Sequence, residues 1–139
     1  MTAGTATIYV IDDDPSFLSA VVRLIRVGGY AVDGMQTLSD FKTRLPLASP
    51  ACVLADVMLA GESGLEVGDI LATADQSVPI VFMSATDQRD TIEAASAAGA
   101  VPCLRKPVEA DELFAALGTA LGTATRLEIP HIQKEKILR

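Results

Sequence analysis

Six polar residues stand at the ends of apolar runs in this chain, and together they are a set that can handle a phosphoryl group. Asp12, Asp13 and Asp14 follow the run TIYVI, Asp56 follows CVLA, Ser84 follows IVFM, and Lys106, directly before Pro107, comes just after the fifth run. Carboxylates gathered at one place repel one another and raise each other's pKa unless a cation is present. A hard divalent ion such as Mg2+, held by carboxylate oxygens, a carbonyl and waters, relieves that conflict. Phosphoryl transfer depends mainly on positioning and on neutralising charge on the moving group. Asp56 would then be the nucleophile, with Mg2+, Lys106 and the Ser84 hydroxyl each answering one phosphoryl oxygen.

Taken singly, most of these residues have an ordinary explanation. Asp12 to Asp14 ahead of Pro15 could be a helix cap and first-turn acids, and Asp14 is expected to be that cap. Ser84 alone could be a turn residue, and Lys106 alone a solvated cation. Asp56 is harder to dismiss, because an acid that closes an apolar run is costly to bury unpaired. The joint occurrence at four strand ends is the signal.

The elements that must position this set follow from the pattern of the chain. Five short apolar runs, at residues 7–11, 31–33, 52–55, 80–83 and 100–104, alternate with segments of helical spacing. Phe17, Leu18, Val21, Val22, Leu24 and Ile25 recur at intervals of three and four, as do Leu65, Ile70 and Leu71, and Leu113, Phe114, Leu117 and Leu121. Gly28-Gly29 ends the first helix, Pro46 and Pro50 bracket the entry to the third strand, and Pro79 precedes the fourth. Continuous apolar strands are buried on both faces, so the pattern is a (βα)5 α/β domain with a doubly wound parallel sheet. In such sheets, sites form beyond the carboxyl ends of the strands.

Composition sets the outer bounds. The 139 residues make one domain, half of them apolar, with two Tyr, four Phe and no Trp, so the core is aliphatic. The net charge of -7 disfavours nonspecific nucleic-acid binding by this domain. No apolar run approaches the roughly 18 to 20 residues that span a bilayer, and the start lacks the basic region of a signal peptide, so no membrane association and a cytoplasmic location are expected. Cys52 and Cys103, on strands separated by a third, are expected to be free thiols.

The segments VIDDDP (10–15), LADVMLAGESGLE (54–66), PIVFMSA (79–85), AAGA (97–100) and LRKPV (104–108) resemble the receiver domain of bacterial two-component response regulators, over residues from about 6 to 122. The resemblance implies a flavodoxin-like fold with strand order 2-1-3-4-5. It makes Asp12 and Asp13 the acidic pair, Asp56 the phosphoacceptor, and Ser84 and Lys106 the assisting hydroxyl and cation. It also implies Mg2+ held by Asp13, Asp56 and the backbone carbonyl of Met58, with Asp12 beside them, and a cis Pro107. The phosphoryl donor would be a sensor histidine kinase or phosphotransfer protein, and a homodimer would form through the helix 4, strand 5, helix 5 face. The chain would assist its own modification and would not be an enzyme in the ordinary sense.

Three positions depart from the family pattern. Cys103 replaces the usual aromatic, so coupling is expected to run through Ser84 and the loop of residues 85–90. Ala60 replaces a proline, and Met58 is an apolar residue beside the acceptor that cannot orient a water. Residues 1–122 are read as the receiver and 123–139 as a basic tail, a linker or a dimerisation segment; the chain carries no helix-turn-helix pattern. Two rival readings remain. One is an aspartyl-phosphate phosphatase of the haloacid dehalogenase type, built on Asp12-Asp13-Asp14-Pro15-Ser16, which leaves Asp56 unexplained. The other is a receiver-fold interaction module that works without phosphorylation.

Overall fold

The computed structural model describes residues 5–122. Its main sheet contains β1 (Thr7–Ile11), β2 (Ala31–Met35), β3 (Ala51–Asp56), β4 (Ile80–Ser84) and β5 (Leu104–Arg105). All neighbours are parallel, and the spatial order is β2-β1-β3-β4-β5. Between them run α1 (Pro15–Val27), α2 (Leu38–Lys42), α3 (Val67–Thr73), α4 (Arg89–Ala98) and α5 (Ala110–Leu121). A two-residue hairpin pairs Met58–Leu59 with Glu62–Ser63 between β3 and α3. This is the doubly wound α/β architecture that the alternating pattern specifies. The tail assigned to residues 123–139 lies outside the described residues.

Side chains alternate across a strand, so each central strand feeds two cores. Ile8 and Val10 of β1, Cys52 and Leu54 of β3, and Val81 and Met83 of β4 pack beneath Val21 and Ile25 of α1 and Leu113 and Leu117 of α5. The opposite parity, Tyr9, Ile11, Val53, Ala55, Ile80 and Phe82, packs with Leu38 and Phe41 of α2, Val67 and Leu71 of α3, and Ala95 of α4. All six residues of β3 are buried. That double burial is why the third run reads as unbroken apolar sequence.

Two strands differ from the sequence reading by more than a single residue at an end. β2 continues to Met35 because Gly34 and Met35 pair with Val10 and Ile11, although glycine is no strand former. The fifth strand is not residues 100–104 but Leu104–Arg105. Pro102 has no N–H to give to a ladder, and the Cys103 N–H donates to Ser96 Oγ on α4 at 2.9 Å instead. Cys103 therefore precedes the strand. Among the described residues no helix is long and apolar enough to cross a membrane.

Both cysteines are buried free thiols. Burial in the α1/α5 core pushes the Cys52 thiol from 9.0 up to about 12. The folded state therefore keeps a proton that the unfolded chain loses, so stability declines as pH rises from about 9 towards 12. At about 1.4 kcal/mol per pKa unit, urea melts should show this one group removing about 2 kcal/mol between pH 8.5 and 10.5. Cys52→Ala should flatten that part of the pH dependence; an unchanged slope would show that the thiol does not contribute it.

Candidate functional site

Asp12 is the first residue past β1, Asp56 ends β3, Ser84 ends β4, and Lys106 is the first residue past β5. Backbone hydrogen bonds between neighbouring strands hold all four ends in line. Asp12 N–H donates to the Met35 carbonyl at 3.1 Å, Val57 N–H to Met83 at 2.9 Å and Lys106 N–H to Ser84 at 2.9 Å. The Lys106–Pro107 peptide is cis, as are Leu45–Pro46 and Ser49–Pro50.

The same alternation that builds the cores decides which side chains meet. Asp12 continues the parity of Ile8 and Val10, Asp56 that of Cys52 and Leu54, and Lys106 that of Leu104, so the three share the α1/α5 side. Lys106 Nζ donates to Asp12 Oδ2 and to Asp56 Oδ2, each at 2.8 Å. Asp12 is fully buried and Asp56 is 6% exposed. Asp12 Oδ1 accepts from Asp14 N–H at 2.9 Å and Asp56 Oδ1 from Met58 N–H at 3.0 Å. Burial pushes the Asp12 carboxyl up, against the Lys106 hydrogen bond, which pulls it down. Burial pulls the Lys106 ammonium down, but its bonds to Asp12 and Asp56 outweigh this and leave it raised.

Asp13 is half-buried and makes no hydrogen bond or ion pair among the described residues. Oxygens of Asp12, Asp13 and Asp56 lie within 4.8 Å of one another. Three carboxylates face one ammonium, and the donor atoms are hard oxygens, so the group fits a small divalent cation. Asp14 is the helix cap, its side chain accepting from Ser16 and Phe17 N–H groups.

Ser84, of the other parity and fully buried, turns its Oγ to its own loop and accepts from Thr86 N–H at 3.1 Å. Thr86 Oγ1 in turn accepts from Gln88 N–H. Across the loop, Asp87 pairs with Arg105 at the surface. Cys103 sits in the α2–α4 core. Burial pushes its thiol pKa up. Met58 is 59% exposed beside the acceptor.

Gly64 lies inside the segment LADVMLAGESGLE, and its role is visible only in three dimensions. Its N–H donates to the Val57 carbonyl at 2.7 Å. A Cβ there would lie 1.9 Å from the Asp56 carbonyl oxygen. Only glycine lets the segment cross the acceptor's backbone that closely. Gly61, in the hairpin turn with φ +73, has open space instead.

A doubly wound parallel sheet that gathers acids and a lysine beyond its strand ends has its candidate site where such α/β domains form theirs. The family model for the response regulator receiver domain matches residues 8–118, and this chain belongs to that family. It is 30% identical over 138 residues to the response regulator protein TodT of Pseudomonas putida, covering 98% of this chain and 61% of TodT. The transcriptional regulatory protein FixJ of Bradyrhizobium diazoefficiens is 32% identical over 117 residues, covering 84% of this chain and 57% of FixJ. The chain thus spans less than two thirds of the length of these relatives. A crystal structure of a response regulator receiver protein from Burkholderia phymatum superposes with a TM-score of 0.72 at 35% identity, over 88% of this chain and all of that one. The crystal structure of FixJ-N, at 21% identity and a TM-score of 0.78 over 90% of this chain and all of that one, shares the fold.

Gly64→Ala should cost at least about 2 kcal/mol, because the methyl must displace the Asp56 backbone. It should also weaken beryllofluoride binding at the site. Gly61→Ala should cost only the roughly 1–2 kcal/mol of a left-handed alanine and leave that binding intact. Equal effects of the two in chemical melts and fluoride titrations would contradict the assignment.

Proposed function

We propose that this chain is the phosphoacceptor switch of a two-component system, taking a phosphoryl group onto Asp56 from the phosphohistidine of a sensor kinase or phosphotransfer protein. The observation that carries the reading is the Lys106 ammonium held at 2.8 Å from both Asp12 and Asp56. A carboxylate oxygen of Asp56 attacks phosphorus; a P–O bond forms, and the donor's P–N bond breaks with its electron pair passing to the imidazole. Lys106 then exchanges its contact with the acceptor for a phosphoryl oxygen and keeps Asp12. Asp12, Asp13, Asp56 and the Met58 carbonyl would hold Mg2+, which neutralises charge on the phosphoryl group when bound.

The phosphatase reading needs Asp12 as nucleophile, and Asp12 has no exposed surface, whereas the Asp56 side chain keeps 8%. On this reading the domain assists its own modification and acts as a switch in the cytoplasm. Ser84 Oγ accepts from Thr86 N–H and has its own O–H left to donate, so a shift of that hydroxyl towards a phosphoryl oxygen would draw the start of the 85–90 loop with it. We place the output on that loop and on the α4–β5–α5 face as a homodimer contact, with transcription as the downstream process, as the name of FixJ suggests for that relative.

Wild-type chain incubated with acetyl phosphate and Mg2+ should gain one phosphoryl group by intact mass, and Asp56→Asn should gain none. Beryllofluoride should shift amide resonances of the 85–90 loop and raise the scattering mass towards a dimer. Phosphorylation without either change would favour an interaction module that ignores phosphate. An Asp12-linked phosphate would restore the phosphatase reading. Met58→Asn should speed loss of the phosphate several-fold, because an amide can orient the attacking water where a thioether cannot; an unchanged half-life would remove that role.

A further inference from the structure

Lys106 has a third neighbour that the chemistry above leaves unused. Its Nζ lies 4.1 Å from the centroid of the Phe17 ring. Two of its three donors go to Asp12 and Asp56, and the remaining side of the cation meets an aromatic face, which is the negative part of the ring quadrupole. Phe17 is held firmly: it is the third residue of α1, its N–H reaches the Asp14 cap at 3.4 Å, and its side chain packs on the α1/α5 core. The short segment 12–17 thus supplies one carboxylate to Lys106, the cap that fixes the helix start, and the ring.

From this geometry we infer that Phe17 is a positioning residue for Lys106, holding the ammonium at the acceptor during phosphoryl transfer. The inference rests on the reading of Asp56 as phosphoacceptor. Before transfer, two carboxylates restrain the lysine, so the ring is partly redundant. As Asp56 becomes an acyl phosphate its contact with Lys106 passes to the moving phosphoryl group, and of the original neighbours only Asp12 and the ring still hold the cation in place. A neutral aromatic face restrains an ammonium without competing with the phosphoryl oxygen as a hydrogen-bond acceptor, which a third carboxylate would do. The ring's contribution therefore falls on the transfer step more than on binding of the donor.

The test is acetyl phosphate phosphorylation of the full chain with Mg2+, followed by intact mass. Phe17→Leu should lower the saturating rate constant about fivefold, within the range of a partly desolvated cation–π contact, with little change in the half-saturating donor concentration. Phe17→Tyr, which keeps the ring, should stay within about twofold of wild type. Fluorinated phenylalanines placed at position 17 alone keep the shape while draining the ring face, and should slow the step progressively with each added fluorine. That series also decides the matter if Phe17→Leu does not fold. A rate constant indifferent to fluorination, or a Phe17→Leu effect confined to the half-saturating concentration, overturns the inference while leaving the Asp56 reading intact. Wild-type chain that takes no phosphoryl group on Asp56 would instead remove that reading, and this inference with it.

Discussion

Asp12 and Asp56 stand 44 positions apart in sequence, and the Lys106 ammonium lies 2.8 Å from an oxygen of each. Two buried carboxylates at such separation from one cation would repel each other if it were withdrawn, and Asp12, with no exposed surface, could not turn to water for relief. The cation can do this only because its backbone N–H is tied to the Ser84 carbonyl at the end of the neighbouring strand. Three strand ends, contributed by the first, middle and last parts of the described chain, are thereby fixed against one another.

Strand parity explains why the bridge takes in some polar ends and not others. Residues of one parity on β1, β3 and β4 build the core under α1 and α5, and Asp12, Asp56 and Lys106 extend that set past the last apolar residue. Ser84 follows Ile80 and Phe82 on the opposite parity. The hydrophobic pattern that makes the fold also sorts the functional groups, and a one-residue slip of β3 would turn Asp56 away from Lys106 while exposing Leu54 to the wrong core. The acceptor's position is thus protected by the burial of its five apolar neighbours in the strand.

That logic separates what could be read in the sequence from what could not. The strand runs of β1, β3 and β4, and the acids and hydroxyl at their ends, were legible because double burial leaves unbroken apolar stretches. β5 was misplaced because the apolar run of residues 100–104 reads as strand, whereas Pro102 has no N–H for a ladder and the Cys103 N–H bonds to Ser96. α4 gave little signal, since Ala95 is its only fully buried residue and the rest of the face is small. Phe17 was read as one apolar position of an amphipathic helix. Its contact with Lys106 spans 89 positions, and no local spacing encodes it. Gly64 shared that difficulty, because its close approach to the Asp56 carbonyl is a fact of three dimensions.

The position of Cys103 bears on how a change at Asp56 travels. A large ring at this point could swing between a buried and an exposed rotamer; a thiol 9% exposed, in the α2–α4 core, has little volume to move. What links the site to the helices instead is backbone and hydroxyl bonding. Ser84 Oγ holds Thr86, Thr86 Oγ1 holds Gln88, and Gln88 directly precedes α4, while Ser96 on the same helix holds the Cys103 N–H. The leading end of α4 is therefore tied to the carboxyl end of β4 at the site, and its trailing part to the entry of β5. A displacement of the Ser84 hydroxyl of about an ångström would stretch the first of these bonds, now 3.1 Å, beyond hydrogen-bond distance. These bonds link the leading turn of α4 to the end of β4 with no aromatic side chain among them.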